Sequence, residues 1–144
     1  MPTMSEATFR STTVCRLAGI TFRQLDYWAR TGLIPPSVAA RGSGTQRRYT
    51  FRETVLVTMV ADLLAHGISL PRARRVVDAV ADRDDLTDVM LFVSGPDEIR
   101  AVTNAEEIID ALLTGTGPVA SMVSLDRIAE RLDQRAPSAE LASA

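Results

Sequence analysis

Hydrophobic positions near the start of the chain repeat with helical spacing and predict two short helices joined by a tight turn. Residues 13–18 carry apolar side chains on one helical face, and Gly19 ends this segment. A second helix is predicted over residues 21–31, because Thr21 and Gln24 have the T-x-x-Q spacing of a capping box. The pattern therefore indicates a helix, a turn and a second helix with a well-defined start.

The second helix has an apolar side and a polar side. At about 100° per residue, one side carries Phe22, Leu25, Trp28 and Ala29. The opposite side carries Arg23, Tyr27 and Arg30. We expect the apolar side, Phe22 included, to anchor the helix to the rest of the domain, so that the polar side is held rigidly in solvent.

Turn-forming residues follow this helix and predict a small hairpin, or wing, over residues 37–50. Gly42 and Gly44 supply turn residues between two short strand-like segments. Alternation along the second segment directs Tyr49 and Phe51 toward the core. The turn and this segment also carry a group of cations: Arg41, Arg47 and Arg48.

The remainder of the chain alternates helical and strand-like patterns. Apolar residues at helical spacing predict one helix over about residues 52–66 and another that starts after Ser69, which is expected to cap it. Acidic residues accumulate around residue 82. Beyond them, two apolar segments separated by SGPDE predict a hairpin, followed by helices over about residues 104–113 and 124–132.

The predicted helix over residues 104–113 is amphipathic. We expect Thr103 and Glu106 to form a second capping box at its start. The apolar faces of this helix and of the last one fit either a core or an interface. They consist of Ala105, Ile108, Ile109, Leu112, Leu113, Leu125, Ile128 and Leu132.

Composition excludes several functional classes. The 144 residues include one cysteine, Cys15, and one histidine, His66, so no pair of these residues stands at metal-ligand spacing. We expect no metal, no cofactor and no catalytic residues, and hence no enzyme. Because we find neither a signal peptide nor an apolar stretch of about 18 residues, we expect no membrane partner and a cytoplasmic location at the nucleoid.

Charge is distributed unevenly, although the formal net charge is only -2. Residues 1–81 contain eleven arginines and five acidic residues, whereas residues 82–144 contain five arginines and thirteen acidic residues. A basic half next to an acidic half suggests that the first half meets a polyanion and that the second does not.

Two helices, a tight turn and an arginine-bearing wing are typical of a winged helix-turn-helix, whose second helix enters the major groove of DNA. We expect DNA contacts from Thr21, Arg23, Tyr27, Arg30, Arg41, Arg47 and Arg48. Structural support of this recognition helix is expected from Leu25, Trp28 and Tyr49. Since Arg23 lies in the first helical turn, we expect it to read guanine.

Three spaced motifs, YWARTGLIPP, QRRYTF and HGISLPRARRV, resemble the MerR family of transcriptional regulators. The resemblance spans about residues 12–80. Its first motif implies a recognition helix whose DNA-facing residues are Arg23, Tyr27 and Arg30. Its second motif implies a wing with phosphate contacts at Arg47 and Arg48 and with Tyr49 packed inside.

Two features depart from the family pattern. Many members have arginine just before the aromatic pair of the recognition helix, where this chain has Asp26. A contact that the family assigns to this arginine is therefore not expected in this chain. Asp26 is instead expected to orient Arg23 or Arg30 by a surface ion pair. After Val80, acidic residues and a hairpin stand where the metal and drug sensors have a long dimerising helix. This extension is similar to a short actinobacterial branch linked to control of cell-division genes.

The predicted fold class is mainly α with small β, a MerR-like winged helix-turn-helix followed by a small α+β domain built from a hairpin and helices. The predicted organisation is a flexible tail at residues 1–10, a DNA-binding domain at 11–81, an acidic effector or dimerisation domain at 82–134 and a disordered tail at 135–144.

The resulting hypothesis is a sequence-specific DNA-binding transcriptional regulator that acts as a homodimer on an inverted repeat. Helix 21–31 would lie in the major groove and the wing at 37–50 on the phosphate backbone. Double-stranded DNA is the expected partner, RNA polymerase is a further candidate, and no effector ligand is identified. The alternative is an adaptor that uses the same scaffold to bind the transcription machinery. A third hypothesis places a small-molecule pocket in the acidic domain.

Overall fold

The computed structural model describes residues 8–36, 47–84, 86, 88–95, 98–114 and 121–136. Its elements are β1 (Thr8–Arg10), α1 (Ser11–Ala18), α2 (Phe22–Arg30), β2 (Arg48–Thr50), α3 (Phe51–Ala65), α4 (Leu70–Ala81), β3 (Met90–Gly95), β4 (Glu98–Val102), α5 (Ala105–Thr114), β5 (Ser121–Ser124) and α6 (Leu125–Arg135). This is the predicted class, mainly helical with small antiparallel sheets.

The chain divides into two compact units. The first comprises Met1–Ala61 and Arg131–Ala144, and the second comprises Asp62–Glu130, so the divisions fall within α3 and α6. The predicted domain boundary at about residue 82 stays a prediction.

In the first unit, a two-stranded antiparallel sheet joins residues that are far apart in the sequence. β1 pairs with β2 in the register Thr8↔Thr50, Phe9↔Tyr49 and Arg10↔Arg48. Phe9 and Tyr49 are fully buried. Residues 8–10 therefore form a strand, where the sequence led us to expect the end of a flexible tail. Tyr49 points into the core as predicted, whereas Phe51 begins α3 and is only partly buried.

The helix, turn and helix predicted near the start of the chain are present as α1 and α2. Gly19 closes α1 with a φ of 73°, a left-handed conformation that glycine adopts without strain. Its N–H donates to the carbonyl of Cys15 at 2.9 Å. A second glycine with positive φ, Gly32 at 77°, follows α2 and turns the chain so that Leu33 and Ile34 are buried.

The next helix, α3, is buried along most of its first half. Every residue from Thr54 to Val60 is buried, including the hydroxyl-bearing Thr54 and Thr58. Each of these hydroxyls donates at 2.8 Å to the carbonyl four residues earlier, so neither polar group is left unsatisfied. The helix starts one residue earlier than predicted because Thr50 and Glu53 form a capping box with bonds of 3.1 and 2.7 Å.

In the second unit, α4 lies beside a three-stranded antiparallel sheet with the order β4-β3-β5. β3 is the central strand, and its neighbours are β4, in the predicted hairpin, and β5 on the other side. Strand β5 was not predicted from the sequence. Ser69 stands at the start of α4 but its side chain makes no capping hydrogen bond, contrary to our expectation. The apolar residues Ala73, Val76, Val77 and Val80 of α4 are buried.

Two further helices complete the described chain. α5 is capped one residue later than predicted, because the Glu107 N–H donates to Asn104 Oδ1 at 2.9 Å while the Glu107 carboxylate accepts the Thr103 N–H at 2.7 Å. Its apolar residues have different environments. Ile108 packs against Phe92 and Val102, whereas large apolar side chains further along α5 are exposed. In α6 all the predicted apolar positions are buried, namely Leu125, Ile128 and Leu132.

Across the described ranges, none of the helices combines the length and the apolar character needed to span a membrane.

Candidate nucleic-acid interface

Helix α2 is anchored through a narrow apolar stripe. Leu25 and Trp28 are almost completely buried, as predicted. Phe22, which we expected to share this role, is 57% exposed. With 3.6 residues per turn, Phe22 lies roughly 90° from the midline between Leu25 and Trp28, at the margin of the stripe and in the first turn. The helix is therefore held by two large side chains, and Phe22 belongs to its solvent side.

The start of α2 is fixed by the predicted capping box. The Gln24 N–H donates to Thr21 Oγ1 at 3.1 Å, and the Thr21 N–H donates to Gln24 Oε1 at 3.0 Å. The Thr21 hydroxyl, expected to contact DNA, thus has a structural role in the cap. Its contact with DNA stays a prediction.

The polar face of α2 is open to solvent. Arg23, Tyr27 and Arg30 are all exposed. Within the described part of the chain, Arg23 makes no hydrogen bond or ion pair, so its guanidinium group retains its five donors. The face predicted to meet DNA is therefore held on a rigid helix with an arginine available in its first turn.

Asp26 connects α2 to the residues that lead into β2. Its Oδ2 accepts from Arg30 Nε at 2.9 Å, and its Oδ1 accepts from Arg47 Nη1 at 2.6 Å. These hydrogen bonds, from Arg47 first and then from Arg30, hold the pKa of the Asp26 carboxyl below its usual 3.8. The expected pairing with Arg30 is present and the alternative pairing with Arg23 is not. The bond to Arg47 was not predicted from the sequence.

The other arginines predicted for the wing are placed differently. Arg48 donates from Nε to Thr8 Oγ1 at 3.0 Å and from Nη2 to the Thr8 carbonyl at 3.3 Å, so part of its guanidinium ties β2 to β1. Arg41 and residues 37–46 of the predicted wing lie outside the described residues. Phosphate contacts by Arg41, Arg47 and Arg48 stay predictions.

Tyr49 of β2 is buried in the core, and its support of the recognition helix stays a prediction. Its hydroxyl is buried and has no hydrogen-bond partner among the described residues. Burial raises the pKa of Tyr49 from 10.0 to about 12, since the phenolate would lose its water, and nearby Arg47 offsets part of this effect. Burial likewise raises the pKa of the Cys15 thiol, which disfavours the reactive thiolate.

The second unit contains a pocket of about 250 Å³. Its lining includes apolar residues of α4 and of the sheet, among them Val76, Leu91 and Ile99. It also includes two arginines of α4, Arg72 and Arg75. In the described ranges, no three His, Cys, Asp or Glu side chains are grouped so that they could hold a metal ion.

The sequence that contains the helix-turn-helix matches a known family, and the match covers half of the chain. The MerR HTH family of regulatory proteins matches residues 9–80. The chain belongs to the MerR family. The three MerR-like motifs YWARTGLIPP, QRRYTF and HGISLPRARRV lie within this matched range.

Curated relatives of this MerR protein occur in mycobacteria. Uncharacterised HTH-type transcriptional regulators of Mycobacterium bovis and of two Mycobacterium tuberculosis strains are each 44% identical over 119 residues. The alignment covers 81% of this chain and 52% of each relative. The chain therefore spans about half the length of the curated relatives it matches.

Among solved structures, the chain is similar to HiNmlR, a MerR family regulator lacking the sensor domain, crystallised with promoter DNA. The TM-score is 0.44 and the identity 23%, over 54% of this chain and 58% of that one.

Proposed function

We propose that this MerR-family chain is a sequence-specific DNA-binding transcriptional regulator. In this proposal α2 enters the major groove, Arg23, Tyr27 and Arg30 face the bases and backbone, and the wing follows the phosphates. The observation that carries the proposal is the solvent face of α2. Arg23 has no hydrogen-bond or ion-pair partner there among the described residues, and its helix is fixed by a capping box and by buried Leu25 and Trp28. An arginine held in this way can donate two hydrogen bonds to one guanine, at O6 and N7.

Phe22 adds an apolar contact to this proposed surface. It precedes Arg23 in the first turn of α2 and is more than half exposed. A large apolar side chain in the groove contacts the methyl group of thymine, which no other base carries. We therefore assign Phe22 to DNA reading instead of to the core, and expect a thymine next to the position that Arg23 reads.

The test is a selection of genomic fragments at about 0.15 M salt, where specific binding is best distinguished from electrostatic attraction. The protein is compared with Arg23→Ala and with Arg127→Ala, which removes the same charge from an exposed position of α6. We expect a shared motif that fades for Arg23→Ala and persists for Arg127→Ala. Fragments without a motif would contradict sequence-specific binding, and an absence of bound fragments would favour the adaptor that binds the transcription machinery.

A homodimer on an inverted repeat is the finer part of the proposal. Helix α5 supplies the surface that supports it, since Ile109 and Leu113 are exposed, Leu113 to 79%. Sedimentation of the protein and of an Ile109→Ser, Leu113→Ser double variant tests this assignment. We expect a dimer that dissociates in the double variant, and an unchanged dimer would place the interface elsewhere.

The functional setting is also proposed. The resemblance of the C-terminal extension to the actinobacterial branch supports cell-division genes as targets, and the family supports RNA polymerase as a partner. Positions of the selected fragments relative to those genes test the first point. RNA polymerase as a partner is tested by copurifying the protein with polymerase, once in the presence of a promoter fragment and once with polymerase alone.

A small-molecule effector is a second candidate function, favoured by the pocket of the second unit. Apolar walls with Arg72 and Arg75 suit a small carboxylate that has an apolar body. Thermal unfolding is measured with benzoate and hexanoate and with the uncharged benzyl alcohol and hexanol. We expect stabilisation by the carboxylates alone, lost in Arg75→Gln and kept in Arg74→Gln. Equal effects of acids and alcohols would contradict the assignment.

A further inference from the structure

The two hydrogen bonds of Asp26 place three charged groups from two parts of the first unit in direct contact. Arg30 lies one turn after Asp26 on α2, while Arg47 is separated from Asp26 by 21 positions in the sequence and lies just before β2. Each carboxylate oxygen accepts from a different arginine. A single side chain therefore links the proposed recognition helix to the base of the predicted wing.

The two arginines are held to different extents. The side chain of Arg47 is 21% exposed and makes the shorter bond, so it is fixed mainly by Asp26 and by the surrounding protein. The side chain of Arg30 is 62% exposed and donates to Asp26 through Nε, so its terminal nitrogens take no part in this bond. Asp26 thus orients Arg30 without occupying the donors that would reach a base or a phosphate.

The carboxylate also changes the charge that DNA would meet. Two guanidinium groups alone present two positive charges, whereas the group with Asp26 presents one. Attraction to phosphate is the part of DNA binding that carries no sequence information, and it grows with each cation that is free to contact the backbone. A carboxylate at this place lowers that attraction for every DNA sequence alike.

We propose that Asp26 is a specificity-determining positioning residue, which orients Arg30 and Arg47 for the cognate site and limits their attraction to other DNA. This inference rests on the proposed DNA-binding function. It assigns to Asp26 no contact with a base, because its two oxygens face the arginines. The residue improves discrimination by acting through Arg30 and Arg47.

The experiment compares affinity for the selected motif with affinity for a scrambled duplex of the same composition, each over a range of salt concentrations. The variant is Asp26→Asn, which keeps the shape of the side chain and removes its charge. The matched control is Asp78→Asn, which makes the same change of net charge on an exposed position of α4. For each variant, thermal unfolding checks that the protein is folded, and a titration measures the fraction that is able to bind.

For Asp26→Asn we expect tighter binding to the scrambled duplex, with a salt dependence steeper by about one phosphate contact, close to 0.9 in the logarithmic slope. We expect the ratio of specific to non-specific affinity to fall about tenfold. Asp78→Asn should leave this ratio within about twofold of the unmodified protein. A ratio unchanged in Asp26→Asn, or reduced equally by Asp78→Asn, would overturn the inference.

A double-mutant cycle separates positioning from a general structural effect. If Asp26 acts through the two arginines, Asp26→Asn should have no further effect on the ratio in an Arg30→Gln, Arg47→Gln background. A further fall in that background would also overturn the inference. The proposed function fails separately, since it requires the unmodified protein to prefer the motif over the scrambled duplex.

Discussion

Helices α2 and α5 have similar amphipathic sequences but very different outer surfaces. α2 is anchored by two large buried side chains and exposes arginines and aromatic residues. On α5 the partly buried Ile108 packs on the sheet, whereas Ile109 and Leu113 are exposed among acidic residues. Amphipathicity alone therefore does not tell what a helix binds. In the proposed roles, the charge of the exposed face and the burial of the anchoring side chains distinguish α2, a surface for a polyanion, from α5, a surface for another protein.

The largest expected difference between the two helices is in their anchors. Trp28→Ala should lower the free energy of unfolding by about 3–5 kcal/mol, because it leaves a cavity in the core. Ile109→Ala on α5 should change it by less than about 0.5 kcal/mol in dilute solution, because the side chain is already exposed. Urea unfolding of both variants measures this difference.

Phe22→Ala provides the internal control for α2. It should leave the free energy of unfolding nearly unchanged while weakening binding to the motif, since Phe22 is exposed on the proposed DNA face. A loss of stability similar to that of Trp28→Ala would show that Phe22 is a core residue and contradict its assignment to the DNA face.

Salt should weaken DNA binding by the arginine-bearing surface much more than self-association through α5. With about five arginine contacts, DNA affinity should fall roughly 500-fold between about 50 and 200 mM salt, because each contact displaces counterions. Self-association through the apolar face of α5 should change by only a few-fold over this range. Fluorescence anisotropy for DNA and sedimentation for association measure the two dependences. DNA binding that is insensitive to salt would favour the adaptor hypothesis.

Alkaline pH should destabilise the fold through Tyr49 of β2. Between its ordinary pKa of 10.0 and the folded value of about 12, Tyr49 keeps its proton in the folded state and loses it in the unfolded state. Stability is therefore present below pH 10 and declines as the pH rises toward 12, by up to about 1 kcal/mol between pH 9 and 11. Urea unfolding at several pH values measures the decline.

Tyr49→Phe is the matched control for this pH effect. It should flatten the pH dependence, leaving the contribution of Cys15, and it should not lower stability at pH 7, because the lost hydroxyl has no described partner. A pH dependence unchanged in this variant would show that Tyr49 is not its source.

The smallest expected effects concern the helix starts, where the two helices resemble each other. Thr21→Ala and Asn104→Ala should each lower the free energy of unfolding by about 1 kcal/mol, since each removes a capping hydrogen bond. Ser69→Ala should cost little, because its side chain makes no capping bond. Thermal unfolding measures all three, and an equal loss in Ser69→Ala would contradict this account of the caps.

Sequence reasoning was most successful where neighbouring residues determine the structure. The capping box of Thr21 and Gln24 and the turn at Gly19 involve residues within a few positions, so their chemistry is visible in the sequence. The T-x-x-E pattern at Thr50 offered the same signal for α3 and was overlooked. The cap of α5 was displaced by one residue, because Thr103 and Asn104 are both acceptable capping residues.

Long-range contacts explain the remaining differences. Neither the pairing of β1 with β2 nor the addition of β5 to the sheet has a turn signature, because the paired strands are distant in the sequence. The bond between Asp26 and Arg47 is of the same kind. Phe22 was misplaced for another reason, since helical periodicity identifies the centre of an apolar face better than its edges.

The strand pair β1 and β2 also has a consequence for how the protein reaches its native state. It joins residues about 40 positions apart and encloses α1, α2 and the predicted wing in one loop. Helices α1 and α2 can form locally within microseconds, but closing this loop costs entropy before the buried pair of Phe9 and Tyr49 is gained. We therefore expect the meeting of the two strands to limit the folding rate of the first unit. Because β1 is synthesised before β2, it cannot pair until β2 has been made. A nascent chain would therefore expose Phe9 until residue 50 emerges.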